Sequence, residues 1–191
     1  MKNSYKRYLG GACCLITATL VVACSSSLSY NDALQKNVKN IEDPEKLEDA
    51  RFLVEAASYN MLARKLDEAA ISSGYSASVV QLAKQNHEEH EEMGKELKKL
   101  ARQEDVVLPA EMNQDHKALL AKLTASDRRE FDKTYVRLLK EASEEDSRKF
   151  SQMATEAKSD DIRAFAARKL DLFESHQTEL ETVDAELLKT Y

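Results

Sequence analysis

The chain has 191 residues, with 28 lysines and arginines against 34 aspartates and glutamates, for a formal net charge of −6. That length suits one ordinary domain with a single sizeable core. The acidic balance excludes a nucleic-acid binder, which needs a basic face to neutralise phosphates.

Lys2, Lys6 and Arg7 precede an uncharged run from Tyr8 to Ala23, the arrangement of a secretory signal. Its apolar core, Leu9 to Ala23, is 15 residues long and is stopped by Ser25, Ser26 and Ser27. A helix that crosses a bilayer needs ~20 such residues, which weighs against an uncleaved anchor. The string Leu20-Val21-Val22-Ala23-Cys24 resembles a bacterial lipobox, with an aliphatic residue three before the cysteine and a small one just before it. Val21 stands where leucine is usual. Residues 1–23 are therefore expected to be a lipoprotein signal peptide, and Cys24 the lipidated first residue of the mature chain. Cys13 and Cys14 leave with the leader, so no thiol remains for a disulfide. Losing three leader cations takes the net charge from −6 to −9. A domain so acidic is not expected to adhere to anionic lipid by itself, and its membrane contact is the acyl chains on Cys24. Ser25, where an aspartate would retain a lipoprotein in the inner membrane of enteric bacteria, predicts an outer-membrane address facing the periplasm.

Residues 24–43 read as a flexible tether, Ser-rich and then Asn-rich, in which Leu34, Val38 and Ile41 suggest a weak helical turn or two. Residues 44–191 read as a helical bundle. Only Gly74, Gly94, Pro44 and Pro109 punctuate this part, too few for the turns of a sheet protein. Asp43-Pro44 is a helix start, a capping carboxyl followed by proline at the first helical position. Phe52, Ala56, Tyr59, Ala63, Leu66 and Ala70 then recur at fours and threes, the stripe of a packed helix. Ser73-Gly74 ends it, glycine being suited to a left-handed cap. A second helix from about Ser76 to Gln103 carries the seam Val79, Ala83, Asn86, His90, Met93, Leu97 and Leu100, with Glu91 and Lys95 paired four apart on its outer side.

A short helix is expected from about Met112 to Leu123, and Ser126 as the start of the next long one. That helix has the seam Phe131, Tyr135, Leu139, Ala142, Asp146, Phe150 and Met153. Ser159-Asp160-Asp161 opens the last, with acids at the positive end of its dipole. Its seam is Ile162, Ala166, Lys169, Phe173, His176, Leu180, Val183 and Leu187. Four long helices in two hairpins follow. The connection between hairpins, Glu104 to Ala125, can span ~18 Å as helix plus up to ~33 Å extended, against ~39 Å for a long helix. It can therefore run the full length, giving an all-α, ferritin-like four-helix bundle with a short helix in the crossover. Capping one end of an up-down-up-down bundle is the alternative.

Phe52…Ala56-Ala57, Ala83, Glu89-His90, Val107-Leu108-Pro109, Phe131-Asp132…Tyr135 and Ala164-Phe165-Ala166 leading to His176 form an ordered set. Together they resemble the bacterial domain of unknown function four-one-four-two, over about residues 48–185. The resemblance implies a helical, ferritin-like, exported protein, often described as an outer-membrane protein, and it implies no reaction. This chain departs from the family where Ala63 replaces a glutamate and where Ala142-Ser143 replace an Asp-His pair. It keeps Glu89-His90 and His176.

His90 and His176 sit on seams near two helix midpoints, so both imidazoles should share one central layer. A dinuclear carboxylate site needs a glutamate from two helices and Glu-x-x-His from two others. The four carboxylate positions read here as Ala63, Ala142, His87 and Phe173, so no metal or other cofactor is expected. The alternative is a metal-binding or metal-storing bundle using His90 and His176, joined by His87, since imidazole suits zinc or nickel. Otherwise the two histidines are buried and hydrogen-bonded to Asn86, Tyr59, Tyr135 or Asp146. The run His87-Glu88-Glu89-His90-Glu91-Glu92 spaces its histidines by three, where the zinc-protease motif spaces them by four. It reads as a solvated acidic face, as does Glu144-Glu145-Asp146. His116 reads as surface packing. With no nucleophile elbow, phosphate-cradling loop or paired cysteines, the expectation is a non-enzymatic envelope protein that binds an unidentified protein partner.

Overall fold

The computed structural model describes residues 27–190; the leader and Cys24 lie outside them. Six helices occupy these residues: α1 (Tyr30–Asn40), α2 (Pro44–Ser73), α3 (Ala77–Gln103), α4 (Gln114–Thr124), α5 (Phe131–Glu156) and α6 (Asp160–Thr190). The chain is all-α, and no strand occurs among the described residues. None of these helices is long and apolar enough to cross a membrane.

Local chemistry sets the boundaries. Asp43 Oδ1 accepts from the backbone N–H groups of Glu45 and Lys46 at 3.0 and 3.4 Å, and Pro44 opens α2. Gly74 ends α2, though not as a left-handed cap: its φ is −60° and ψ 140°. Glycine is required there for space, because a Cβ would lie 2.6 Å from the Ala70 carbonyl oxygen. The left-handed cap occurs one hairpin arm later, at Asp105 with φ 55°, where Val106 N–H closes back on the Ala101 carbonyl at 2.8 Å. Ser126 does not start α5. Asp127 accepts from the N–H groups of Arg129 and Glu130 at 2.7 and 3.3 Å, holding a turn that delays the helix to Phe131.

The tether expectation fails over residues 30–40. These form α1, capped by Ser29 Oγ accepting from Asp32 N–H at 3.2 Å. Ala33 and Asn37 are buried, and the Asn37 amide clamps the Val107 backbone, donating to its carbonyl and accepting from its N–H, both at 2.9 Å. Two core contacts in eleven residues leave too thin a stripe for periodicity to detect.

The long helices pair as hairpins α2–α3 and α5–α6. Side-chain pairs give the directions. Asp67 meets His90 and Arg64 meets Glu91, so α3 runs antiparallel to α2. Phe52 meets Phe150, Tyr59 meets Ser143 and Asp67 meets Tyr135, so α5 is also antiparallel to α2. Hence α3 and α5 are parallel, and the connection through α4 travels the length of the molecule, against α2 and α5. The hairpins cap each other reciprocally. Asp132 of α5 accepts from Tyr75 and Ser76 N–H at 3.0 and 2.6 Å, while Asp49 of α2 accepts from Lys158 and Ser159 N–H at 3.0 and 2.9 Å.

Every residue of the four expected seams is buried. Burial in α2 goes well beyond its seam, to Leu53, Val54, Leu62 and Asp67, because α1, α3, α4 and α5 all pack on it. Fully burying an aliphatic or phenyl side chain is worth ~1.5–3 kcal/mol, so α2 is the axis on which the core depends.

Candidate functional site

Halfway along the molecule the core turns polar. Asp67 on α2 is fully buried, and its two carboxyl oxygens take different donors. The Tyr135 hydroxyl of α5 donates to Oδ1 at 2.8 Å, and the His90 Nδ1 of α3 lies 2.9 Å from Oδ2. The His90 ring meets the His176 ring of α6 edge-on, with centroids 5.2 Å apart. His176 Nε2 in turn hydrogen-bonds Glu89, which is partly exposed. One polar line thus passes from α5 through α2, α3 and α6 to the surface at Glu89. Beside it the Tyr59 hydroxyl pairs with Ser143 at 3.0 Å, and the Tyr59 ring stands edge-on to His90 at 6.0 Å.

The expected common layer of His90 and His176 is present, but the expected partners are not. Neither Asn86, Tyr59, Tyr135 nor Asp146 hydrogen-bonds them; Asp67 and Glu89 do. Asp67 escaped the sequence reading because it lies off the Ala63–Leu66–Ala70 stripe of a helix buried nearly all round. The available signal was an acid four residues after Ala63, one turn further along the same helix. Glu89 follows from α3 having two neighbours. Consecutive helical residues point ~100° apart, so His90 serves the α2 side and Glu89 reaches α6.

Burial dominates the electrostatics. It pushes the His176 imidazole below its ordinary value, helped by neighbouring His90 and opposed by Glu89. Burial likewise raises the Tyr59 and Tyr135 hydroxyls, which remain neutral. Asp146, read as part of a solvated run, is in fact 1% exposed, and burial lifts its carboxyl to about 7 against the pull of Lys149. Its Oδ2 has no partner, and neither do the side-chain oxygen and nitrogen of Asn86. His116 is a second correction. It is buried, with Nδ1 2.7 Å from Ser58 Oγ, and desolvation lowers its affinity for a proton. Ser58 Oγ also accepts from Asn113 N–H at 2.9 Å, so this pair pins the start of α4 onto α2. The expected Glu91–Lys95 pair is replaced: Lys95 bonds Glu92 at 2.6 Å and Glu91 reaches Arg64 at 3.5 Å.

Chemically, the layer offers two imidazoles in contact, each backed by a carboxyl group, and two neutral phenols. Asp67 is engaged from both sides, so it is a structural acceptor before it is anything else. Among the described residues no three His, Cys, Asp or Glu side chains converge as a metal-holding group.

No curated protein and no solved structure matches the chain. The family model described as "Domain of unknown function (DUF4142)" matches residues 35–183, which takes in part of α1, all of α2 to α5, the central layer and most of α6. The chain belongs to that family.

Proposed function

We propose that the protein is a lipoprotein of the bacterial envelope, carried on acyl chains at Cys24, sorted to the outer membrane and facing the periplasm, where it binds a protein partner without catalysing a reaction. The observation that carries this reading is the leader itself: three cations, a 15-residue apolar run, and Val22-Ala23-Cys24 at its end. The start of the fold supports it. Ser27 and Leu28, three and four residues beyond Cys24, are already bonded to Glu111 and to the Ala110 N–H. The domain therefore begins where a lipid anchor would end. The four long helices are read as a ferritin-like bundle with α4 in the crossover, a reading supported by the parallel run of α3 and α5. The central layer supports a structural role, since its donors and acceptors are largely engaged with one another.

Radiolabelled palmitate should enter the wild-type protein, while Cys24→Ala should accumulate as a larger, unlabelled precursor. Absence of label from the wild type sinks the reading. The second reading, a metal-binding bundle, draws on the close approach of His90 and His176. Elemental analysis would promote it by showing near one equivalent of zinc, nickel or iron, lost in His90→Ala and His176→Ala.

A further inference from the structure

The antiparallel pair α2–α3 leaves a cleft of about 550 Å³ on its outer side, closed at one end by Leu108, Pro109 and Ala110. Its walls are apolar at Met61, Leu97, Leu108 and Pro109, and Arg64, Lys95 and Lys98 stand along it with Glu91 as the one acid. Lys95 is held by Glu92 at 2.6 Å and Arg64 reaches Glu91 at 3.5 Å, so Lys98 gives the cleft a positive excess in an otherwise strongly acidic molecule. Gly94 leaves room on the floor for the Asn60 amide: a Cβ there would lie 2.7 Å from Asn60 Nδ2.

The floor is polar and unsatisfied. Asn60 is 5% exposed, and its Oδ1 is enclosed without a partner. Arg64 Nε is likewise buried and unpaired, the guanidinium making only a 3.5 Å contact to Glu91. Leaving such groups bare is costly, and both belong to side chains that line the cleft, so a guest that draws the Asn60 amide and the Arg64 guanidinium toward itself relieves that cost. Lys98 is exposed and free to meet an anion.

Position narrows the guest. Ala110, at that end of the cleft, donates its N–H to the Leu28 carbonyl at 2.8 Å. Leu28 is four residues from Cys24, a reach of at most ~14 Å when extended. On the reading that Cys24 carries lipid, the Ala110 end of the cleft lies within that reach of the bilayer surface.

We propose that this cleft binds one membrane phospholipid by its headgroup. Phosphate oxygens accept from Arg64 and Lys98, a headgroup hydroxyl meets the reoriented Asn60 amide, and the first chain carbons lie against the half-buried Met61 and Leu108. Phosphatidylglycerol has the phosphate and the hydroxyl donors. Phosphatidylcholine has the phosphate without any donor.

The test is native mass spectrometry of the full-length gene product purified from membranes in detergent and supplied with phosphatidylglycerol, phosphatidylcholine or inorganic phosphate. One phosphatidylglycerol should remain bound, at least fivefold more than phosphatidylcholine, and Arg64→Gln with Lys98→Glu should cut retention at least tenfold while the circular dichroism spectrum holds. Gly94→Leu, which displaces the Asn60 amide from the floor, should do the same. Equal retention of both lipids, retention untouched by these substitutions, or capture of inorganic phosphate alone would overturn the proposal. The covalent mass in the same spectrum reports acylation at Cys24 separately. An acylated chain without a phosphatidylglycerol adduct defeats the cleft alone, and an unacylated chain with the adduct defeats the anchor alone.

Discussion

The two halves of the core meet at Tyr59 and Phe173 and are held in different ways. On one side Phe150 stacks against Phe52, Phe165 and Phe173 at centroid distances of 4.8, 5.9 and 5.0 Å. On the other, Asp67, Tyr135, His90 and His176 are joined by directed hydrogen bonds and one ring contact. The aromatic half tolerates rotation and rewards volume. The polar half fixes register, because sliding any helix by one residue would orphan a buried donor or acceptor. Packing supplies the stability, and the hydrogen bonds select which packing.

The largest expected effect breaks the aromatic half. Phe150→Ala should cost ~3–5 kcal/mol by removing the ring that three others touch, read as a fall in the urea midpoint. A loss below ~1 kcal/mol would mean the cluster is not central. Asp67→Ala is next, at ~2–4 kcal/mol, because the Tyr135 hydroxyl and a His90 ring nitrogen lose their partner inside the core. If the two halves differ as described, Phe150→Ala should leave the fold intact but weaker. Asp67→Ala should in addition broaden the NMR signals of His90 and Tyr135.

A pH slope in stability comes next in size. Asp146 titrates near 7 in the folded chain and from 3.8 in the unfolded one, so between these values the folded state holds the extra proton. Stability from this group is full at low pH and is lost as pH rises through that window, by about 2–3 kcal/mol between pH 5 and pH 8. Asp146→Asn should flatten the slope. His176 and His116 act oppositely. Both are depressed below the ordinary 6.5, so their contribution is present above that value and lost as pH falls below it. Chemical denaturation across pH resolves the two slopes, and an unchanged profile in Asp146→Asn would refute the first. The smallest effect lies on the border. Tyr59→Phe keeps the ring and deletes the hydroxyl bonded to Ser143, which should cost ~1 kcal/mol; a larger loss would move Tyr59 into the polar half.

The same division explains what the sequence made legible. Apolar and aromatic seam positions follow from periodicity alone, and all of Phe52, Phe131, Phe150 and Phe173 were readable as core. His90 and His176 were readable too, because a polar residue on an apolar stripe stands out. Their partners were not. Asp67 and Glu89 lie off the seams, on helices that bury a wider arc than one stripe because each has several neighbours. Asp146 was on a seam, yet its run of acids made it look solvated. α1 was legible only as a weak turn or two, because its buried contacts are one alanine, Ala33, and one amide, Asn37.

The proposal of a lipid-anchored domain is tested most directly by the intact mass of the protein extracted from bacterial membranes. The expected mass is that of a chain beginning at Cys24 and carrying two or three acyl chains. A chain that retains residues 1–23, or that is cut at another residue and bears no lipid, would contradict it.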